Sequence, residues 1–296
     1  MKTVKYAAIG GTIAAIVLGA SGYSIAQSPS ASASKSSKAD ITYRATLNDF
    51  TFPLERYRLS DADQRKVNNA VDALTARCLQ GFAISYSPNP RSDIADTHSR
   101  IYGVTDEAQA KSFGYRSPAA VQKVTPQAAV EEPQHAAVRT GAVRTYNNKA
   151  VPLGGCVGEA GRQVYRGQHT SLRGLADGLI FQASDQAQRD DRVRKVFADW
   201  SGCMKDKGFS YKTPIDAMNG LAADRGAAGK GEKSVAVADV QCKKQNNVIG
   251  VWSSIEAGYQ NKAISAHRPD LKMVQEDLQS LLANAERALA AGKSAR

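Results

Sequence analysis

Trp252, Glu256 and Tyr259 stand four and three residues apart, which puts all three on one face of a helix. A carboxyl group among aromatic rings is poorly solvated, so its neutral form is favoured. It can then serve as a general acid of the kind that sugar-polymer hydrolysis requires. Glu256 is therefore the catalytic candidate, and Trp200, Trp252 and Tyr259 are the candidate binding residues. The competing reading is structural, with Glu256 buried and paired with a lysine or arginine. Glu159, three residues after Cys156, and Asp199, beside Trp200, are further acids near apolar stripes. No spacing rule brings Glu159 to Glu256.

Other chemistries find no footing. There is no Gly-x-Ser-x-Gly elbow for a nucleophilic serine. His98, His135, His169 and His267 read as exposed residues of loops or helix ends. None pairs with another at i+4, so no zinc-protease motif forms and no metal ligand is assigned. The stretch Gly226–Gly231 lacks the spacing of a phosphate-cradling loop and reads as a connection between helices, with Lys230 and Lys233 making a small basic tip. The arginines are dispersed and match no nucleic-acid-binding signature, so no nucleic acid is expected as partner. No cofactor is implied.

The elements that position the acid are helices. Val193, Val196, Phe197, Trp200 and Cys203 make one apolar stripe on a helix that stops at Gly208-Phe209. Val235, Ala238, Cys242, Ile249, Trp252 and Tyr259 make another on a second, longer helix. Each stripe carries one cysteine and one tryptophan, which suggests a helical hairpin stapled by a disulfide. Aromatics are 7% of the 296 residues and alanine fills many core positions, so close-packed helices are favoured over a β-sandwich.

The chain opens with Lys2 and Lys5 before an uncharged run from Tyr6 to Ala26, closed by Ser24-Ile25-Ala26. That is the pattern of an export signal with a small-residue cleavage site over residues 1–26. An uncleaved N-terminal membrane anchor is the rival reading. Both place the body outside the cytoplasm, either secreted or on the outer face of the cytoplasmic membrane. The formal charge is +11, and removal of residues 1–26 takes two lysines and no acid, leaving +9. Outside a membrane, that charge faces anionic cell-wall polymer or the membrane surface.

Residues 27–40 read as a flexible Ser/Ala-rich tether. A helical domain over 41–266 follows, opening with an extended arm, Ile41 to Leu59, that packs against the first helix. Ser60 caps that helix, Asp61 and Asp63 stand in its first turn, and Gly81 stops it. Residues 87–152 read as an irregular insertion: Thr105 caps a short helix there, and 119–149 is a long loop that Pro126 and Pro133 keep from being one helix. Residues 267–296 read as a C-terminal amphipathic helix and tail begun by Pro269.

Four cysteines in an exported chain read as two disulfides. Cys78 leads through Gly81-Phe82 into Ser85-Tyr86 and Pro88, and Cys203 leads through Gly208-Phe209 into Ser210-Tyr211 and Pro214. The shared order suggests a duplicated cysteine-bearing hairpin. It selects Cys78–Cys156 and Cys203–Cys242 among three connectivities.

Arg100-Ile101-Tyr102-Gly103-Val104-Thr105, Gly155-Cys156-Val157-Gly158-Glu159-Ala160, Trp200 with Cys203-Met204-Lys205 and Gly208-Phe209, and Val237-Ala238-Asp239-Val240 before Cys242 carry a resemblance. As a combination over roughly 60–266, they resemble uncharacterised secreted four-cysteine proteins of actinobacteria, the streptomycete type above all. The resemblance implies export, paired cysteines and a helical body, and no activity. Some of that group look lipid-anchored, whereas no cysteine follows the signal here.

The sequence therefore predicts a mainly α protein, disulfide-stapled helical hairpins or a bundle with a long irregular insertion. The functional expectation is an exported cell-envelope protein with a binding or structural role. The alternative is a cell-wall hydrolase using an inward-facing carboxylate.

Overall fold

The computed structural model describes residues 41–88, 100–118, 131–221 and 228–293. The expected export signal, the tether, His98 and parts of the insertion lie outside these residues. The described chain is mainly helical, with almost no strand, and is held by two disulfides. Helix α1 is Asp61–Gln80, α2 Glu107–Phe113, α3 Pro133–Thr140 and α4 Gly155–Val164. They are followed by α5 Leu175–Arg189, α6 Asp191–Asp206, α7 Pro214–Leu221, α8 Lys230–Gln245, α9 Val248–Ala266 and α10 Arg268–Lys293. Among the described residues, no helix is long and apolar enough to cross a membrane.

Local signals explain most boundaries. Ser60 accepts from the Asp63 amide at 3.1 Å and donates to the Asp63 carboxylate at 2.7 Å, closing the start of α1. The cap of α2 is Asp106, accepting from the Gln109 amide at 2.7 Å, one residue later than Thr105, the residue expected from the sequence. Asp190 caps α6.

Part of the insertion is regular. Pro133, taken as a breaker, occupies the first turn of α3, where no amide donor is needed. Strands β1 (Thr145–Tyr146) and β2 (Lys149–Ala150) pair antiparallel across Asn147-Asn148, both with positive φ, as a two-residue hairpin turn requires.

The long helix expected through Cys242 and Trp252 is two helices. The break falls at Asn246-Asn247, where Asn247 takes φ 51° and its side chain accepts from the Arg44 amide at 3.0 Å. Most of the arm packs there, against α9, while its last residue, Leu59, reaches the α1 cluster expected to receive the whole arm. A Cβ on Gly250 would come within 2.3 Å of the Thr42 carbonyl, so only glycine admits the arm at that point. Deeper along α9, the Leu54 amide donates to Gln260 at 3.0 Å.

The largest apolar cluster lies where α6, α8 and α9 meet α2 and α7, with Trp200, Phe197, Ile249 and Trp252 at its centre. A separate cluster joins α1, α4 and the second half of α10. The C-terminal helix is thus part of the body, with Leu281 and Ala285 buried in that cluster. Cys203–Cys242 ties α6 to α8 and Cys78–Cys156 ties α1 to α4. The two halves of the apparent repeat differ in shape. Cys156 sits in the first turn of its helix and Cys242 in the last turn of its own.

Candidate functional site

Trp200 and Trp252 share one buried cluster, and Glu256 joins it through Tyr102, in the interior. Trp252 stacks on Tyr102 with ring centroids 4.0 Å apart, and Phe197 meets its edge at 4.9 Å. Glu256 is 2% exposed. Its Oε2 accepts from the Tyr102 hydroxyl at 2.9 Å and its Oε1 from Gln260 at 3.3 Å, with Ser184 a third donor. The lysine or arginine expected beside a buried Glu256 is absent among the described residues; neutral donors hold it instead. Loss of water raises its pKa, and the three donors pull back against that rise.

A second buried acid, Asp239, lies on α8 and is fully enclosed. It accepts from Trp200 Nε1 at 3.0 Å and from Lys243 Nζ at 2.8 Å. Burial raises its pKa, and the Lys243 ammonium opposes that rise. Lys243 is 1% exposed, and its Nζ also donates to the Tyr102 and Val104 carbonyls at 2.8 and 3.2 Å. All three ammonium donors are thus used. The turn that supplies both carbonyls is the Arg100–Thr105 motif, and a Cβ on Gly103, at φ 81°, would stand 3.2 Å from Lys243 Nζ. The motif is a plug that completes a polar chain from Trp200 through Asp239, Lys243, Tyr102 and Glu256 to Gln260 and the arm.

Tyr259 is half-buried, and its hydroxyl donates to the Asp190 carboxylate at 3.1 Å, tying α9 to the start of α6. Asp199 is held by Lys195 on the outer face of α6, and Glu159 by Arg162 and Gln163. Neither approaches Glu256. The arrangement around Glu256 is a sealed structural network without an opening for substrate.

The open polar geometry lies elsewhere. A cleft of about 320 Å³ is lined by Tyr57, Arg58, Tyr165, His169, Arg173, Asp177 and Asp277, among others. Asp277, on α10, accepts from the His169 amide at 2.9 Å and lies 2.8 Å from His169 Nδ1. The His169 side chain is 51% exposed and that of Asp277 12%, so the acid orients a half-exposed ring that lines the cleft. The Arg58–Asp177 ion pair, at 2.8 Å, lies on the same wall.

His169 reads from the sequence as a loop residue because its partner lies 108 positions away. Among the described residues, no group of His, Cys, Asp and Glu side chains could hold a metal ion. No protein-family model, curated protein or solved structure matches the chain.

Proposed function

We propose that this chain is an exported protein of the cell envelope that binds an anionic partner, wall polymer or membrane surface, and does no chemistry at its buried acids. The observation that carries this is the closure of Glu256, at 2% exposure, while open clefts run along α10. The signal-like residues 1–26, the resemblance to secreted four-cysteine proteins and the basic charge support export and an anionic partner. The two disulfides suit an oxidising compartment.

The test is co-sedimentation of the purified chain with isolated actinobacterial cell wall and with anionic vesicles. Retention at low salt that weakens as salt rises supports electrostatic binding; retention indifferent to salt, or none, counts against it.

One observation favours a second reading. A histidine oriented by a buried aspartate in a cleft is the base-and-orienter pair of hydrolytic sites, so hydrolysis would run through His169 rather than Glu256. In that case, His169→Ala would abolish release of soluble wall fragments and leave wall retention intact.

A further inference from the structure

A second cleft, of about 400 Å³, lies between α1, the C-terminal end of α4 and the last turns of α10. Arg77, Arg166 and Arg287 line it together with Gln163 and Asn284, and no aspartate or glutamate does.

The cleft is braced. Arg77 Nη2 donates to the Ala288 carbonyl at 2.7 Å, while its Nε is enclosed and has no partner among the described residues. Asn284 Nδ2 donates to the Val164 and Arg166 carbonyls at 3.0 and 3.1 Å, and its Oδ1 accepts from Arg287. Glu286, beside Arg287, is engaged by Lys66; Glu159, hydrogen-bonded by Arg162, also feels the Arg166 charge, and Asp72 stands five residues before Arg77; none of the three lines the cleft. Three guanidinium groups gathered without a carboxylate repel one another, and an anion relieves that repulsion. Planar guanidinium forks match oxyanions. A carboxylate offers a single edge to one fork, whereas a tetrahedral phosphate offers oxygens to several arginines at once.

We propose that the Arg77–Arg166–Arg287 cleft binds a phosphate group. This rests on the binding role proposed above and names the chemistry of the partner. The phosphate is carried by a lipid headgroup, or it is free or borne on a polymer; the arms of the experiment separate these sources.

The experiment uses the full chain with its disulfides intact. Thermal unfolding is followed in inorganic phosphate and in chloride at matched ionic strength, with ³¹P line broadening as a direct readout. The expected result is a phosphate-dependent rise in the unfolding midpoint. In R166Q/R287Q that rise is lost, with about tenfold or greater weakening of phosphate binding, because charge-assisted contacts are removed. Arg166 and Arg287 are both exposed, so the variant should fold as the parent does, and its phosphate response is read against its own midpoint in chloride.

A phosphate response of equal size in parent and variant, or none in the parent, overturns the proposal. Retention on phosphatidylglycerol but not phosphatidylcholine vesicles, lost in the variant, assigns a lipid headgroup. A phosphate response without vesicle retention assigns free or polymer-borne phosphate. Vesicle retention unchanged in the variant would place membrane attraction on overall charge and overturn the role of the cleft. If phosphate binding fails while wall sedimentation persists, the cleft falls and the binding role stands. If wall sedimentation fails while phosphate binding persists, the reverse holds.

Discussion

The Tyr102 hydroxyl donates to Glu256 Oε2 at 2.9 Å, across 154 residues of sequence. Around this bond the acid is enclosed by neutral donors, and its pKa lies above the ordinary 4.5 because burial disfavours the charged form. The folded chain therefore keeps a proton at Glu256 over a window in which the unfolded chain has lost it. Its stabilising contribution is full below 4.5 and declines as pH rises through the raised value. Glu256→Gln keeps the shape without the charge and is expected to flatten that decline. At pH 7 it should change stability by less than about 2 kcal/mol, not the roughly 3–5 kcal/mol of a broken buried ion pair. Urea unfolding of both chains between about pH 4 and pH 8 checks this.

Lys243 behaves oppositely. Lys243→Met leaves the Asp239 carboxyl facing only neutral donors and orphans two carbonyls of the Tyr102 turn. A loss of roughly 3–5 kcal/mol is expected in denaturant unfolding. Asp239→Leu added to Lys243→Met should recover part of that loss, since the buried charge is then gone. Equal midpoints for Lys243→Met and the parent would mean the pair is not what closes the plug.

Asp190 gives an acid-side signature. Its carboxyl, 11% exposed, is held at about 2 against an ordinary 3.8, first by the Arg192 guanidinium and also by Tyr259. A lowered folded pKa means that its contribution is present above 3.8 and lost as pH falls through about 2. Asp190→Ala removes the α6 cap and should cost roughly 0.5–2 kcal/mol at neutral pH. The acid limb of the stability curve should become shallower. Tyr259→Phe, which deletes one hydroxyl, should cost about 1 kcal/mol or less.

The disulfides should differ in how readily they open. Cys78–Cys156 closes 78 residues and Cys203–Cys242 closes 39, which in the chain-entropy model correspond to roughly 4–5 and about 4 kcal/mol. Cys78 is half-buried, whereas both sulfurs of the other bridge belong to buried residues. Mild reductant should therefore open Cys78–Cys156 first, as mass mapping of alkylated peptides would show. Reduction of Cys203–Cys242 ahead of it would contradict the difference in burial.

Elements with a local cause were readable in the sequence. The stripe from Val193 to Cys203 is buried at each named position, and Ser60 caps α1 as its neighbours indicate. What escaped has tertiary causes. Periodicity runs straight through Asn246-Asn247, and the break becomes intelligible only once the Arg44 amide is seen docked on Asn247. Asp239 and Lys243, four apart on a helix, look like a surface ion pair until the Tyr102 turn covers them. Glu256 was placed correctly on an inward face. Its partners were not readable, because Tyr102 comes from a distant motif with no periodicity of its own. The His169–Asp277 cleft and the three-arginine cleft are likewise products of packing between remote segments.

The arm and the plug both find their partners near the far end of the chain. Arg44 waits for Asn247, Leu54 for Gln260, and Tyr102 for Lys243 and Glu256. A polypeptide delivered N-terminus first can close none of these contacts until residue 243 has arrived, nor the last of them until residue 260. The largest core then assembles late and almost at once, with loop closures of 200 residues or more limiting its rate. Chains cut short before α8 would carry the arm, the plug and the Trp200 stripe without the two helices that cover them. Such fragments would be substrates for proteases and aggregation rather than smaller versions of the protein.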